Sequence, residues 1–140
     1  MLTRIHHLGI AVRSLDEAVP FYRDGLGMAF QGVEEVPEYA VRVAFLKIGE
    51  SVIELLEPTS GDGMIARFLA ERGPGIHHVA YEVADLEAAI RSCEARGVKM
   101  IDRAPRRGAH GARVAFMDPE SSQSVLTELC QLRPPRRGRA

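Results

Sequence analysis

At 140 residues and 15.4 kDa the chain fits one domain, or two small halves sharing one core. Eighteen basic against nineteen acidic side chains leave a formal charge of -1, without the basic excess of a nucleic-acid-binding domain. Cys93 and Cys130 fit neither a zinc-knuckle spacing nor a disulfide framework, no apolar run reaches the ~20 residues of a membrane helix, and no signal-peptide core opens the chain. A soluble, cytoplasmic protein without nucleic-acid or membrane partners is the expectation.

The chain repeats itself. Residues 5–18 read IHHLGIAVRSLDEA, and residues 76–89, displaced by 71 positions, read IHHVAYEVADLEAA. Each copy opens on a strand-like run. Ser14, with Glu17 three residues on, then marks a helix start, and Asp85 occupies the equivalent cap in the second copy. Leu15, Ala18, Val19, Tyr22 and Leu26 form the first apolar stripe; Leu86, Ala89, Ile90, Cys93 and Val98 form the second. Pro20 is expected to kink or shorten the first helix, and Gly27 and Gly97 to close the two. Strand-like runs follow at 28–35, 40–48 and 51–57, and again at 98–103, 111–117 and 123–131. A short helix, Ile65 to Arg72, lies between the copies, and Arg133 to Ala140 reads as a disordered basic tail. The expected fold class is α+β, with two βαβββ modules in a single domain spanning 1–140: module one at about 4–58, a linker at 59–75, module two at about 76–131.

Strand alternation assigns faces. His7 shares a face with Gly9 and Ala11, whereas His6 joins Leu8, Ile10 and Val12 on the apolar side. In the second copy His78 lies with Ala80 and Glu82, and His77 with Val79, Tyr81 and Val83. By this test His6 and His77 are helix-side or edge residues and not ligands. The last strand of each copy carries a glutamate among apolar neighbours, Glu54 in VIELL and Glu128 in VLTEL. Alone, His7 reads as a satisfied polar residue and Glu54 as an edge charge. Two histidines and two glutamates recurring in register are different: a buried carboxylate is costly unless it meets a partner or a cation. If the halves pack about a pseudo-twofold axis, the four converge on one cavity suited to a divalent transition metal.

On these residues the chain resembles the vicinal oxygen chelate superfamily, and more narrowly the methylmalonyl-CoA epimerases. The matching stretches include HLGIAV from His7, VAFL from Val43, IELLEP from Ile53, GIHHVAYEV from Gly75, RVAF from Arg113 and VLTELCQ from Val125. The resemblance implies a cupped mixed sheet around the metal, with His7, Glu54, His78 and Glu128 as ligands of a divalent ion (Co²⁺, Mn²⁺, Ni²⁺, Zn²⁺ or Mg²⁺). It further implies an acyl-CoA substrate, a homodimer, and epimerisation of methylmalonyl-CoA at C2 through a stabilised enolate. Proton removal on one face and delivery on the other needs two acid/base groups. The resemblance gives Glu128 as one catalytic residue.

Departures from the family pattern leave the second group open. The register of a glutamate used by some epimerases falls on Arg42, which cannot act as a base at neutral pH. Glu35, Glu38, Tyr39 or a bound water are the substitutes. Glu120 reverses the charge of the family's His-Pro-Lys lysine, so that Ser121, Ser122 or backbone N–H groups would hold the substrate carboxylate, or the substrate differs. Arg106 and Arg107 either meet coenzyme A phosphates or are solvated loop arginines. The alternatives are a glyoxalase I-type lactoylglutathione lyase or another superfamily isomerase; a ring-cleaving dioxygenase and a non-catalytic drug-binding protein are disfavoured by the intact ligand quartet.

Overall fold

The computed structural model describes residues 1–133; the expected tail, apart from Arg133, lies outside the described residues. Eight strands form one curled sheet: β1 (Leu2–Ala11), β2 (Ala29–Val36), β3 (Val41–Ile48), β4 (Ser51–Pro58), β5 (Gly75–Val83), β6 (Arg106–Arg107), β7 (Arg113–Phe116) and β8 (Thr127–Gln131). Their spatial order is β2-β3-β4-β1-β5-β8-β7-β6. Each half carries the same pairing. β1 runs parallel to β4 as β5 does to β8, and the halves join through the antiparallel β1–β5 ladder. The expected α+β class with duplicated βαβββ units is therefore the observed one.

The first helix, α1 (Leu15–Pro20), starts on Ser14, whose hydroxyl accepts the Glu17 N–H, and ends at Pro20. Proline has no N–H and its ring crowds the preceding turn. The chain answers by widening into a π-turn, Phe21–Gly25, with the Leu26 N–H donating to the Phe21 carbonyl at 3.0 Å. The second half has no such interruption, and α3 (Leu86–Ala95) runs ten residues from its Asp85 cap. Two equivalent side chains at the sheet ends fasten these helices. Glu57 accepts the Leu15 N–H at 2.6 Å, and Gln131 accepts the Leu86 N–H at 2.9 Å.

The helices cover the convex side of the sheet: Leu15 and Val19 pack on Ala44, Leu46 and Leu55, and Leu86, Ala89, Ile90 and Cys93 on Ala115 and Leu129. At the cupped side, α2 (Met64–Arg72) inserts Ile65 and Leu69 against Val43, Phe45 and Leu56.

Two expected strands are cut back. In place of a strand over 98–103 there is a single bridge, Met100 to Met117, and the edge strand β6 is only two residues. The carboxylate of Asp102 accepts the Phe116 N–H at 2.9 Å, so a side chain takes up a ladder donor that a strand carbonyl would otherwise bind. The run over 123–131 begins only at Thr127. Gln123 and Ser124 adopt φ values of 56° and 68° in a turn closed by Ser124 N–H donating to the Pro119 carbonyl. Both losses fall in the second module, which is left with shorter strands than the first.

Candidate metal centre

His7, Glu54, His78 and Glu128 come from four adjacent central strands, β1, β4, β5 and β8, and all four are buried. The Nε2 atoms of His7 and His78 lie 3.1 Å apart, and Glu128 reaches both, at 3.7 Å from His7 and 3.4 Å from His78. The structure thus brings three expected residues to one point. Glu54 it places on the far side of the His7 ring, with Oε2 3.2 Å from Nδ1.

The expectation for His6 needs correction, whereas His77 packs on a helix and joins neither group of donors. In the β1–β5 ladder Ile5 pairs with Tyr81 and His7 with Ala80, so His6 is an extra residue on β1. Further along, Gly9 pairs with His78 and Ile10 with Ile76, so His77 is an extra residue on β5. A bulge breaks alternation and brings neighbouring side chains toward the same side. His6 accordingly lines the cavity, its Nδ1 2.8 Å from Nδ1 of His7. His77 packs edge-on to Phe68 of α2, its Nδ1 2.9 Å from Nδ1 of His78. With Nδ1 of each central imidazole engaged, Nε2 is left to face the cavity. His6, His7 and Glu54 also make up a second group of three metal-competent donors.

Gly9 makes room for this arrangement. A Cβ there would lie 2.2 Å from Cε1 of His78, so only glycine admits the ring. The sequence signal for this was slight: GIAV in the first copy against AYEV in the second.

Burial sets the charge state. It pushes the Glu54 carboxyl up to about 8, with Glu34 adding to the shift. Burial first, then Glu54 and Asp102, holds Glu128 well above the usual carboxylate range. Burial beside His77 lowers His78 to about 3, and burial beside His78 and His6 takes His7 well below its ordinary value. Neutral imidazoles and carboxyls that resist ionisation in isolation form a donor set that a divalent cation satisfies, releasing carboxyl protons on binding. Two Nε2 atoms 3.1 Å apart also suit ligands at about 2.0–2.1 Å from one ion. The residues present fit a metal.

The donors sit at the base of a cavity of about 300 Å³, walled by Val41, Val43, Phe45, Leu56 and Phe116. Over it lies a short turn, Ala109–Gly111, in which His110 adopts φ 56° and stacks on Phe45 with centroids 3.9 Å apart. The His110 N–H donates to Glu34 of β2 at 2.9 Å, tying the second module's loop to the first module's wall.

Several expected participants lie elsewhere. β3 turns Val41, Val43 and Phe45 to the cavity, while Arg42 points away and binds Glu57 and Glu35. Glu35 and Glu38 are exposed and do not line the cavity. Glu120 pairs with Lys99 at 3.1 Å on the surface; Ser121 accepts the Lys99 N–H and Ser122 donates to the Val125 carbonyl. None of these three reaches the cavity, so the charge reversal at Glu120 leaves its lining unaltered. Arg106 lies over the Tyr39 ring, 5.1 Å from its centroid, and contacts Asp102.

Residues 6–116 match the model of the Glyoxalase/Bleomycin resistance protein/Dioxygenase superfamily. The chain is 40% identical over 130 residues to the uncharacterised protein YqjC of Bacillus subtilis, covering 93% of each. It is 37% identical over 135 residues to the ethylmalonyl-CoA/methylmalonyl-CoA epimerase of Cereibacter sphaeroides, covering 94% of this chain and 100% of that one. Among solved structures, a Streptomyces coelicolor methylmalonyl-CoA epimerase variant in complex with 2-nitronate-propionyl-CoA superposes with a TM-score of 0.90 at 40% identity, over 94% of this chain and 96% of that one. The chain belongs to the Glyoxalase/Bleomycin resistance protein/Dioxygenase superfamily, and within it is a relative of the methylmalonyl-CoA epimerases.

Proposed function

We propose that the protein is a metal-dependent epimerase that interconverts the C2 epimers of methylmalonyl-CoA. The observation that carries this is the convergence of two neutral imidazoles and a protonatable carboxyl in a mainly apolar cavity, in a chain similar over nearly its whole length to enzymes of that name. His7, Glu54, His78 and Glu128 would hold the ion. A divalent metal there supplies Lewis-acid polarisation of an oxygen conjugated with the reacting carbon.

The remaining work falls to the chain. Val43, Phe45, Leu56 and Phe116 exclude water, so a carbanion formed in the cavity is not quenched at random. His77 and His6 engage the Nδ1 atoms of His78 and His7 and fix their ring orientations. Glu128, buried and with a raised affinity for protons, is suited to take the C2 proton on a carboxylate oxygen and return it. The His110 turn, tied to Glu34, closes the cavity over the acyl group and leaves the nucleotide part of an acyl-CoA outside. A homodimeric form and a cytoplasmic setting belong to the same proposal; no helix among the described residues is long and apolar enough to cross a membrane.

The test is incubation with one epimer of methylmalonyl-CoA in deuterated water, with Co²⁺ or Mn²⁺ in one arm and a chelator in the other. Metal-dependent deuterium uptake at C2 with interconversion is the expected result, lost in His7→Ala and His78→Ala along with bound metal. Absence of exchange with metal bound would overturn the proposal.

A further inference from the structure

An epimerase of this kind needs a second group that handles a proton on the face Glu128 cannot reach. The cavity wall offers few. His7, Glu54, His78 and Glu128 are committed to the metal, and His6 is held against His7. His110 is stacked on Phe45. The Cys130 thiol is pushed up by burial and by Glu128, and it rises from the same strand, β8, as Glu128. Arg133 cannot give up a proton at neutral pH. That leaves Tyr39.

The Tyr39 hydroxyl is the one buried side-chain polar atom among the described residues that has no hydrogen-bond partner. An orphaned buried hydroxyl is costly, and rare enough to need an explanation. It lies in the wall of the same cavity, held there by a well-fastened turn. The turn Pro37–Tyr39 ends on Ala40 in the left-handed region, φ 52°, and the Ala40 carbonyl accepts the Thr59 N–H at 2.9 Å. Gly63 packs so closely that a Cβ there would stand 3.0 Å from the Ala40 methyl. From the other module, the Arg106 guanidinium covers the ring face. Tyr39 enters from module one and Glu128 from module two, so the hydroxyl and the carboxyl approach the cavity from different walls.

We propose that Tyr39 is the second acid/base residue, exchanging a proton with C2 of the substrate on the face opposite Glu128. The assignment rests on the epimerase reading above. In one direction the C2–H bond breaks, its proton passes to a Glu128 oxygen, and the bonding pair stays on the substrate as an enolate. The Tyr39 O–H bond then breaks, and its proton and the enolate pair form the new C2–H bond on the other face. Tyrosinate and protonated Glu128 remain, and a proton passing between them through solvent resets the site. Burial raises the Tyr39 phenol, so it waits protonated, while Arg106 opposes that shift and favours the tyrosinate when it forms.

The experiment gives each epimer of methylmalonyl-CoA separately to wild type and to Tyr39→Phe in deuterated water with Mn²⁺. Wild type takes up deuterium from both and interconverts them. In Tyr39→Phe, interconversion falls by about 10²-fold or more, the scale of one general acid/base group. The epimer whose C2–H faces Glu128 still exchanges, with retained configuration. The ring stays and an unpaired hydroxyl goes, so the melting temperature does not fall. Interconversion within about threefold of wild type, equal loss of exchange from both epimers, or a lowered melting temperature would each overturn the assignment, judged against the ~10²-fold scale. If wild type exchanges neither epimer, the epimerase reading fails first, and that failure is visible without the variant.

Discussion

Replacing Gly9 by alanine tests the metal centre without touching a ligand. The new methyl would stand 2.2 Å from Cε1, 2.5 Å from Nδ1 and 2.7 Å from Nε2 of His78. Ordinary contact begins near 3.4 Å, so the imidazole must retreat by about 1 Å, five times the ~0.2 Å tolerance of a metal–ligand distance. The ring has little room, because His7 lies against one side and Phe116, 5.5 Å away between centroids, against another. Losing a mere supporting partner costs about 10–100-fold in metal affinity. A displaced ligand should cost at least the upper figure, so we expect Co²⁺ or Mn²⁺ to bind about 100-fold more weakly, or about 2.7 kcal/mol. The metal-free fold suffers less: overpacking costs about 1–3 kcal/mol, partly offset by the ~0.5–1 kcal/mol that alanine gains over glycine in a strand. Calorimetric metal titration, with circular dichroism and a denaturant melt alongside, separates the two. A folded Gly9→Ala protein that binds metal within about threefold of wild type, against the ~100-fold loss expected, would refute the placement of His78 in the centre.

Stability of the metal-free protein should peak near pH 6.5. Above that, native Glu54, pushed up to about 8, keeps a proton the unfolded chain has released, and Glu128 behaves alike. The native state binds more protons, and stability falls with rising pH by up to about 1.4 kcal/mol per unit for each group. Below pH 6.5 the unfolded chain protonates His7, His77 and His78 while the folded protein, with His77 near 4 and His78 near 3, does not, so stability also falls toward acid. Urea unfolding in chelator at pH 5.5, 6.5 and 8 checks this; stability rising steadily to pH 8 would contradict it. Asp102→Ala should cost about 1–3 kcal/mol, since it strands the Phe116 N–H in the second module's outer wall. Denaturant melts would show that loss, and an unchanged midpoint would mean the loop finds another acceptor.

The duplicated strand-and-helix unit was legible because two copies of one pattern, IHH followed by an N-cap, fixed the equivalences between halves. The same register made His7, His78, Glu54 and Glu128 a set. Pro20 announced its own interruption. Alternation, however, cannot register an inserted residue, and so His6 was assigned to the wrong face; the doubled histidines themselves mark where the extra residues sit. A one-position difference of face likewise separates Arg42, outside, from Val43, inside. The strand expected over 98–103 failed because its neighbour's N–H is taken by the Asp102 side chain, an interaction no local pattern announces. Contacts such as His110 on Phe45, or Arg106 on Tyr39, join segments far apart in sequence and belong to the closed cup.

The β1–β5 ladder has a consequence for how an ion would leave. The donors belong to both halves of the chain, His7 and Glu54 to one and His78 and Glu128 to the other, and the halves share that ladder. A bound ion is thus a removable tether that closes a loop about half the chain long. The donors face the cavity, so an ion would come and go through its mouth while the strands stay paired. A chelator would then strip the ion without unfolding the chain, and the stability lost would be that of the tie between the two halves.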